Sequence, residues 1–181
     1  GTLTQTVTVE VVVPVNSTVA EVLAMEVGDY FQVTGVIYDI SYYGLFIEQG
    51  GDYIFIYSKQ YAGPAVVGDE VSLLGTRDFY SGLAQIAMIS DLTVVSSSNT
   101  LPSVVMSTVG ALQFDLVPRG TVATVTGMVS IEGSKNDIFI TDIAGGKTKV
   151  YYRSNASELT SLAGSIVTLD LTLNHSSLGT D

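Results

Sequence analysis

Few residues in this chain could do chemistry. A single histidine, His175, stands in the stretch Leu173-Asn174-His175-Ser176, and there is no cysteine. A zinc site would need carboxylates or another chain, and a disulfide framework is excluded. No Gly-x-Ser-x-Gly elbow presents a nucleophile. Gly145-Gly146-Lys147-Thr148 has the ending of a phosphate loop. It leads into a strand pattern rather than a helix, so it is expected to be a hairpin turn. Asp29, Asp52, Asp69 and Asp78 fall near turns without the spaced acidic loop that holds calcium, and turn aspartates normally bond their own backbone. The expectation is therefore no catalytic residue, no metal and no cofactor. Three Asn-x-Ser/Thr triplets, at Asn16, Asn155 and Asn174, are put down to the abundance of Ser and Thr.

What the chain does carry is rings. Eight of its ten tyrosines precede residue 100. Tyr42-Tyr43 and Phe79-Tyr80 fall at predicted loop tips, and Tyr53, Phe55 and Tyr57 alternate with Ile54 and Ile56. A strand sends alternate side chains to opposite faces, so one face carries three rings and the other two isoleucines. With the isoleucines inward, the rings form an exposed platform. With the opposite phase, the rings fill a core and the isoleucines meet a neighbour. Further on, Lys147, Lys149, Tyr151 and Arg153 share one phase of a strand, and Thr148, Val150 and Tyr152 the other. The first set is a basic strip with one ring, the composition that follows a phosphate backbone; its plain alternative is a solvated strand face.

The composition bounds what can position these residues. Hydrophobic residues make up 46% of 181, ample for a core despite a net charge of −11. Val, Thr, Ile and Tyr fill many short runs punctuated by Gly, Ser, Asn and Asp, which is an all-β pattern. No apolar run reaches the roughly 18 residues of a membrane-spanning helix. Residues 17–99 carry ten acids and two bases, residues 100–181 seven acids and five bases. So acidic a chain repels nucleic acid at long range and is kept soluble.

An internal repeat organises the chain. Ser17-Thr18-Val19 matches Ser107-Thr108-Val109, Val33-Thr34-Gly35 matches Val125-Thr126-Gly127, and Phe46-Ile47 matches Phe139-Ile140. The pairs Gly50-Gly51 and Gly145-Gly146 follow in order. Each repeat predicts a short helix, a long strand with a glycine bend, a hairpin, a connector and a further strand. Thr18 and Glu21 have capping-box spacing. The connector Ser154-Asn155-Ala156-Ser157 of the second repeat opens a helix capped by Asn155 or Ser157. Aligning the glycine pairs without a gap sets Tyr53, Phe55 and Tyr57 in the phase of Thr148, Val150 and Tyr152. Equal exposed faces then require one extra residue in a turn, assigned to Asp52. The boundaries are 1–16, an N-terminal strand or linker; 17–99, repeat 1; and 100–181, repeat 2.

Five strands with a bent first strand imply two tandem OB-fold-like five-stranded β-barrels, the second lacking its last strand, in preference to a β-sandwich. The motifs Val33-Thr34-Gly35-Val36, Phe46-Ile47-Glu48-Gln49, Ile54-Phe55-Ile56-Tyr57 and Val67-Gly68-Asp69-Glu70-Val71 resemble the OB-fold nucleic-acid-binding modules of bacterial secreted and surface nucleases and nucleotidases. The likeness covers 17–95 well and 107–181 more weakly. It implies a non-catalytic segment of a larger extracellular or cell-surface bacterial protein, with neighbouring domains in the same polypeptide. In an OB-fold the two ring-bearing tips border one open face, where single-stranded nucleic acid would stack at about 1–3 kcal/mol per base. That face would be Tyr42, Tyr43, Tyr53, Phe55, Tyr57, Phe79 and Tyr80, with Lys147, Lys149, Tyr151 and Arg153 on the second repeat. The alternatives are a structural or protein-interaction spacer and a carbohydrate binder. Residues 3–13 form a strand with no place among the five of repeat 1. They are expected to cover the open edge of repeat 2, within the chain or in a strand-exchanged dimer.

Overall fold

A computed structural model describes residues 13–41, 43–58, 63–80, 82–113, 116–118, 120–150 and 156–173. Repeat 1 opens with β1 (Val15–Ser17) and helix α1 (Val19–Ala24). The capping box forms as the sequence requires: Thr18 Oγ1 accepts from the Glu21 amide, and the Glu21 carboxylate accepts from the Thr18 amide. The strands are β2 (Tyr30–Ser41), β3 (Gly44–Gln49), β4 (Asp52–Tyr57), β5 (Glu70–Tyr80) and β6 (Leu83–Ser96).

These five strands close on themselves. β2 pairs with β3, β3 with β4, β4 in parallel with β6, β6 with β5, and β5 returns to β2. That is the partly open Greek-key barrel of an OB-fold. Gly35 supplies the bend expected in β2, where a Cβ would stand 3.1 Å from the Glu48 carbonyl of β3. Ordinary strand alternation sends Ile37 and Tyr38 to opposite faces, and a bulge follows between Ile37 and Asp39. Ile37 enters the barrel core, and Tyr38 joins a second cluster. The barrel core runs from Val19 and Val22 of α1 through Phe31, Ile47, Ile54, Ile56 and Leu73 to Ile86.

Repeat 2 rebuilds the same parts. β7 (Val105–Met106), α2 (Val109–Gln113), β8 (Val122–Glu132), β9 (Asp137–Thr141), β10 (Lys147–Val150), α3 (Ala156–Ser161) and β11 (Ile166–Thr172) follow in order. α3 is the helix predicted between the third and fourth strands. β7 runs parallel to β8 as β1 does to β2. The sheet order is β10-β9-β8-β11, and no described strand joins β10 to β11. The fold is all-β, a closed barrel followed by a second sheet that no described strand closes.

The extra turn residue is real but lies in repeat 2, not at Asp52. Asp52 is a strand residue paired with Gln49, leaving Gly50-Gly51 as the turn. Glu48 stands opposite Tyr53 with four residues between, whereas the equivalent Thr141 stands opposite Lys147 with five. Asp142 organises that longer turn. Its carboxylate accepts from the amides of Ala144 (3.0 Å), Gly146 (2.8 Å) and, across the repeat, Gly110 of α2 (3.1 Å). These amides hold the Asp142 carboxyl below its ordinary range, Gly110 contributing most. In repeat 1, Gln49 serves the helix in the same way, its Oε1 accepting from the Val19 amide.

Candidate ligand-binding face

The phase of β4 is the one that turns the rings outward. Ile54 and Ile56 are enclosed in the barrel, at 2% and 0% exposure. The outward rings do not form an open platform, however. Phe55 is 5% exposed and belongs to a cluster with Tyr38, Phe46 and Leu83, against which Tyr53 and Val122 pack. The ring centroids lie 4.8 Å apart for Phe46–Phe55, 5.8 Å for Tyr38–Phe46 and 5.4 Å for Tyr38–Tyr53, the last edge-to-face. Such tilted contacts are the favoured geometry for packed rings.

Repeat 2 covers this cluster. Val122 is the first residue of β8, and the Tyr38 hydroxyl donates to the Gly120 carbonyl at 2.5 Å. Gly120 lies so close that a Cβ there would stand 2.5 Å from Tyr53 Cβ and 3.1 Å from the Tyr38 hydroxyl. Beside it, the Thr172 hydroxyl donates to Asp39 at 2.7 Å. Burial, with Asp39 adding to it, pushes the Tyr38 phenol well above its ordinary range; burial and Glu48 raise Tyr53 in the same sense. The expected platform is therefore corrected at its centre. Phe55 has no ring face to offer a base, because the outer side of β2-β3-β4 is where the repeats join.

Rings are exposed at either end of β4. Tyr43 and Tyr57 are 38% and 41% exposed at one end, beside the Gly44–Tyr57 pair. Phe79 and Tyr80 are 55% and 65% exposed, and Tyr80 pairs with Leu83 at the other. Tyr53 to Tyr57 is four strand steps, about 13 Å. The two tips thus do not border one continuous open face, since the buried cluster separates them. Tyr42 lies outside the described residues.

The basic strip has the expected phase but not the expected freedom. Val150 packs against the interior of repeat 2, so Lys147 and Lys149 face outward. Lys147 Nζ meets the Glu132 carboxylate at 2.6 Å and stands 4.6 Å above the Phe139 ring. Lys149 meets Asp137 at 2.8 Å. Lys147 and Ser130 hold the Glu132 carboxyl below its ordinary range. Each lysine on this face carries its own carboxylate, so the strip offers a phosphate backbone little net charge. Tyr151, Arg153 and His175 lie outside the described residues.

Sequence reasoning missed Tyr38 and Phe46 as members of the ring cluster. Consecutive Ile37 and Tyr38 carried the signal: adjacent large apolar residues on a strand point to opposite faces, so burying both requires cover on both sides of β2. Among the described residues no group of three or more His, Asp or Glu could hold a metal ion, and no helix is long and apolar enough to cross a membrane.

No protein-family model matches the chain. No curated protein matches it either. A solved structure, that of the hypothetical protein ygiW from E. coli, is similar at 18% identity and a TM-score of 0.39, over 44% of this chain and 88% of that one.

Proposed function

We propose that this chain is a non-catalytic tandem OB-fold module that works as a rigid structural and protein-interaction element. One observation carries the reading: the aromatic outer face of the first barrel, the surface an OB-fold would use for stacking, is sealed by Gly120 and Val122 of the second. A chain of net charge −11 in which Lys147 and Lys149 are ion-paired also lacks the electrostatic footprint of a nucleic-acid binder. A second reading, stacking of single-stranded nucleic acid, is favoured by the exposed rings Phe79 and Tyr80 on one tip.

Titration with mixed-sequence single-stranded oligonucleotides at low salt, followed by tyrosine fluorescence, separates the two. The interaction reading expects no saturable change. Saturable binding that weakens as salt rises and is lost in Phe79→Ala/Tyr80→Ala would replace it with the stacking reading.

A further inference from the structure

A polar pair stands on the outer face of the first barrel, at the margin of the ring cluster. β5 and β6 meet in a regular hairpin end, where Asp78 pairs with Gln85 and Tyr80 with Leu83. Alternation places these four side chains on one face and Arg77 and Ile86 on the other. Ile86 belongs to the barrel core and Leu83 to the ring cluster, so the first set faces outward. Gln85 also stands beside Phe55 of β4, which leaves Asp78 two strands away from the cluster's centre.

Gln85 is 6% exposed, a rare degree of burial for a carboxamide. Its Nε2 donates to Asp78 Oδ2 at 2.5 Å. An ionised carboxylate only accepts, so this bond fixes which branch of the amide faces Asp78. The other branch is the carbonyl Oε1, and no described residue donates to it. A buried acceptor of that kind is served by water or by the donor of a ligand. The same bond pins the half-buried Asp78 carboxylate in one orientation. Two residues along the strand, Tyr80 is 65% exposed.

We propose that the Asp78 carboxylate, held by Gln85 beside the Tyr80 ring, is a docking point for an arginine side chain of a basic protein partner. Charge selects a cation. Residues 17–99 carry ten acids against Lys59 and Arg77. Arg77 lies on the barrel side, where its Nε donates to the Val22 carbonyl at 3.1 Å. Its guanidinium donates to the main-chain carbonyl of Asp78 and not to the carboxylate. A guanidinium suits all three outward groups. It has five donors and no acceptor, so it serves a carboxylate and a carbonyl together, and its plane stacks on a ring. A lysine ammonium is a point donor with no plane to stack.

This inference rests on the interaction reading and names the chemistry of its partner. The probe is a labelled hexapeptide of alternating arginine and glycine, followed by fluorescence anisotropy at low salt with the full-length protein. Asp78→Asn should weaken binding about tenfold, by removing the charge-assisted bonds. Tyr80→Ala should weaken it about two- to fivefold. Phe79→Ala, on the opposite face of the hairpin, and Asp91→Asn, an exposed acid elsewhere, should each change it by less than about twofold. Peptides with lysine or neutral citrulline for arginine should bind several-fold more weakly. The side-chain amide signals of Gln85 should shift on adding the arginine peptide to the native protein and stay in place in Asp78→Asn. Equal losses in Asp78→Asn and Asp91→Asn would reduce the effect to overall acidity and overturn the proposal. So would a citrulline or lysine peptide that binds as well, or Gln85 signals that do not move. Oligonucleotide binding is told apart by sign, because Asp78→Asn removes a negative charge and would strengthen it.

Discussion

Gly28 and Gly120 make a matched pair for measuring the joint between the repeats. Both have positive φ, +103° and +85°. Both precede the first long strand of their repeat, and both donate to the strand alongside or its immediate continuation, Gly28 to Arg77 within β5 at 2.8 Å and Gly120 to Leu173 just after β11 at 2.7 Å. Their surroundings differ. A Cβ at Gly28 meets nothing within 4 Å, whereas one at Gly120 stands 2.5 Å from Tyr53 Cβ. Alanine at either site bears the left-handed backbone penalty of about 1–2 kcal/mol. Reduced freedom of the unfolded chain offsets about 0.4–1 kcal/mol of that at both. Only Gly120→Ala adds overpacking, about 1–3 kcal/mol for a core that must shift, and it forces Tyr38 and Tyr53 away from the second repeat. Gly28→Ala should thus lose about 1 kcal/mol and Gly120→Ala about 2–4 kcal/mol. Urea unfolding followed by far-ultraviolet ellipticity and by tyrosine fluorescence gives both numbers. Eight of ten tyrosines report repeat 1, so the two signals should separate in Gly120→Ala as the repeats uncouple. Equal losses in the two variants, with coincident transitions, would refute the claim that the repeats form one cooperative unit through this contact.

Further outcomes follow from the same contacts. Tyr38→Phe leaves the buried Gly120 carbonyl without the hydroxyl and should destabilise by about 1–3 kcal/mol, measured by the same urea titration. Because the folded phenol of Tyr38 is raised, the folded state holds its proton longer than the unfolded one, so stability is intact below the unfolded value near ~10 and falls as pH rises past it. Thermal melts through the alkaline range should show this fall, and Tyr38→Phe should flatten it. Asp142 has the opposite sign: its carboxyl is depressed, so its contribution is present above the ordinary carboxylate range and is lost as pH falls below ~4. Asp142→Ala should cost about 1–2 kcal/mol at neutral pH and weaken the acid sensitivity of melting, with hydrogen exchange rising at Gly110 and Gly146.

The parts of the fold legible in the sequence are those set within a few residues of each other. Thr18 and Glu21 announced the cap of α1, Gly50-Gly51 the hairpin, and Ser154-Asn155-Ala156-Ser157 the helix of the second connector. That helix, α3, begins at Ala156, so Ser157 lies inside it rather than capping it, and Asn155 lies outside the described residues. The phase of β4 was open in the sequence, because both faces of Tyr53–Tyr57 are apolar; only the barrel encloses Ile54 and Ile56. What covers the outward face was not legible. The partners of Tyr38 and Tyr53 are Gly120 and Val122, distant in the chain and unremarkable beside Pro118. A glycine at a strand entrance looks the same whether it faces water, as Gly28 does, or a ring, as Gly120 does. The ion pairs of Lys147 and Lys149 were hidden for a related reason. Glu132 and Asp137 flank a different hairpin, and only the register of β8, β9 and β10 brings them across.

The two barrels also show why repeats of one plan drift apart in sequence without losing it. Phe31 of β2 pairs with Gly75 of β5, and the corresponding pair in repeat 2 is Ala123 with Leu171. Large and small have exchanged places across neighbouring strands, so the filled volume is kept while neither residue matches its counterpart. The exchange has a consequence at the next strand. Gly75 leaves room for Ile86 to close the first barrel, and Leu171 removes part of that room in the second. A single large-for-small swap therefore preserves the first layer of the core and narrows the space beside it. On this argument the rings of repeat 1 follow the same logic: Tyr53 and Phe55 occupy the positions of Lys147 and Lys149, apolar where a neighbouring repeat sits and ion-paired where none of the described chain does.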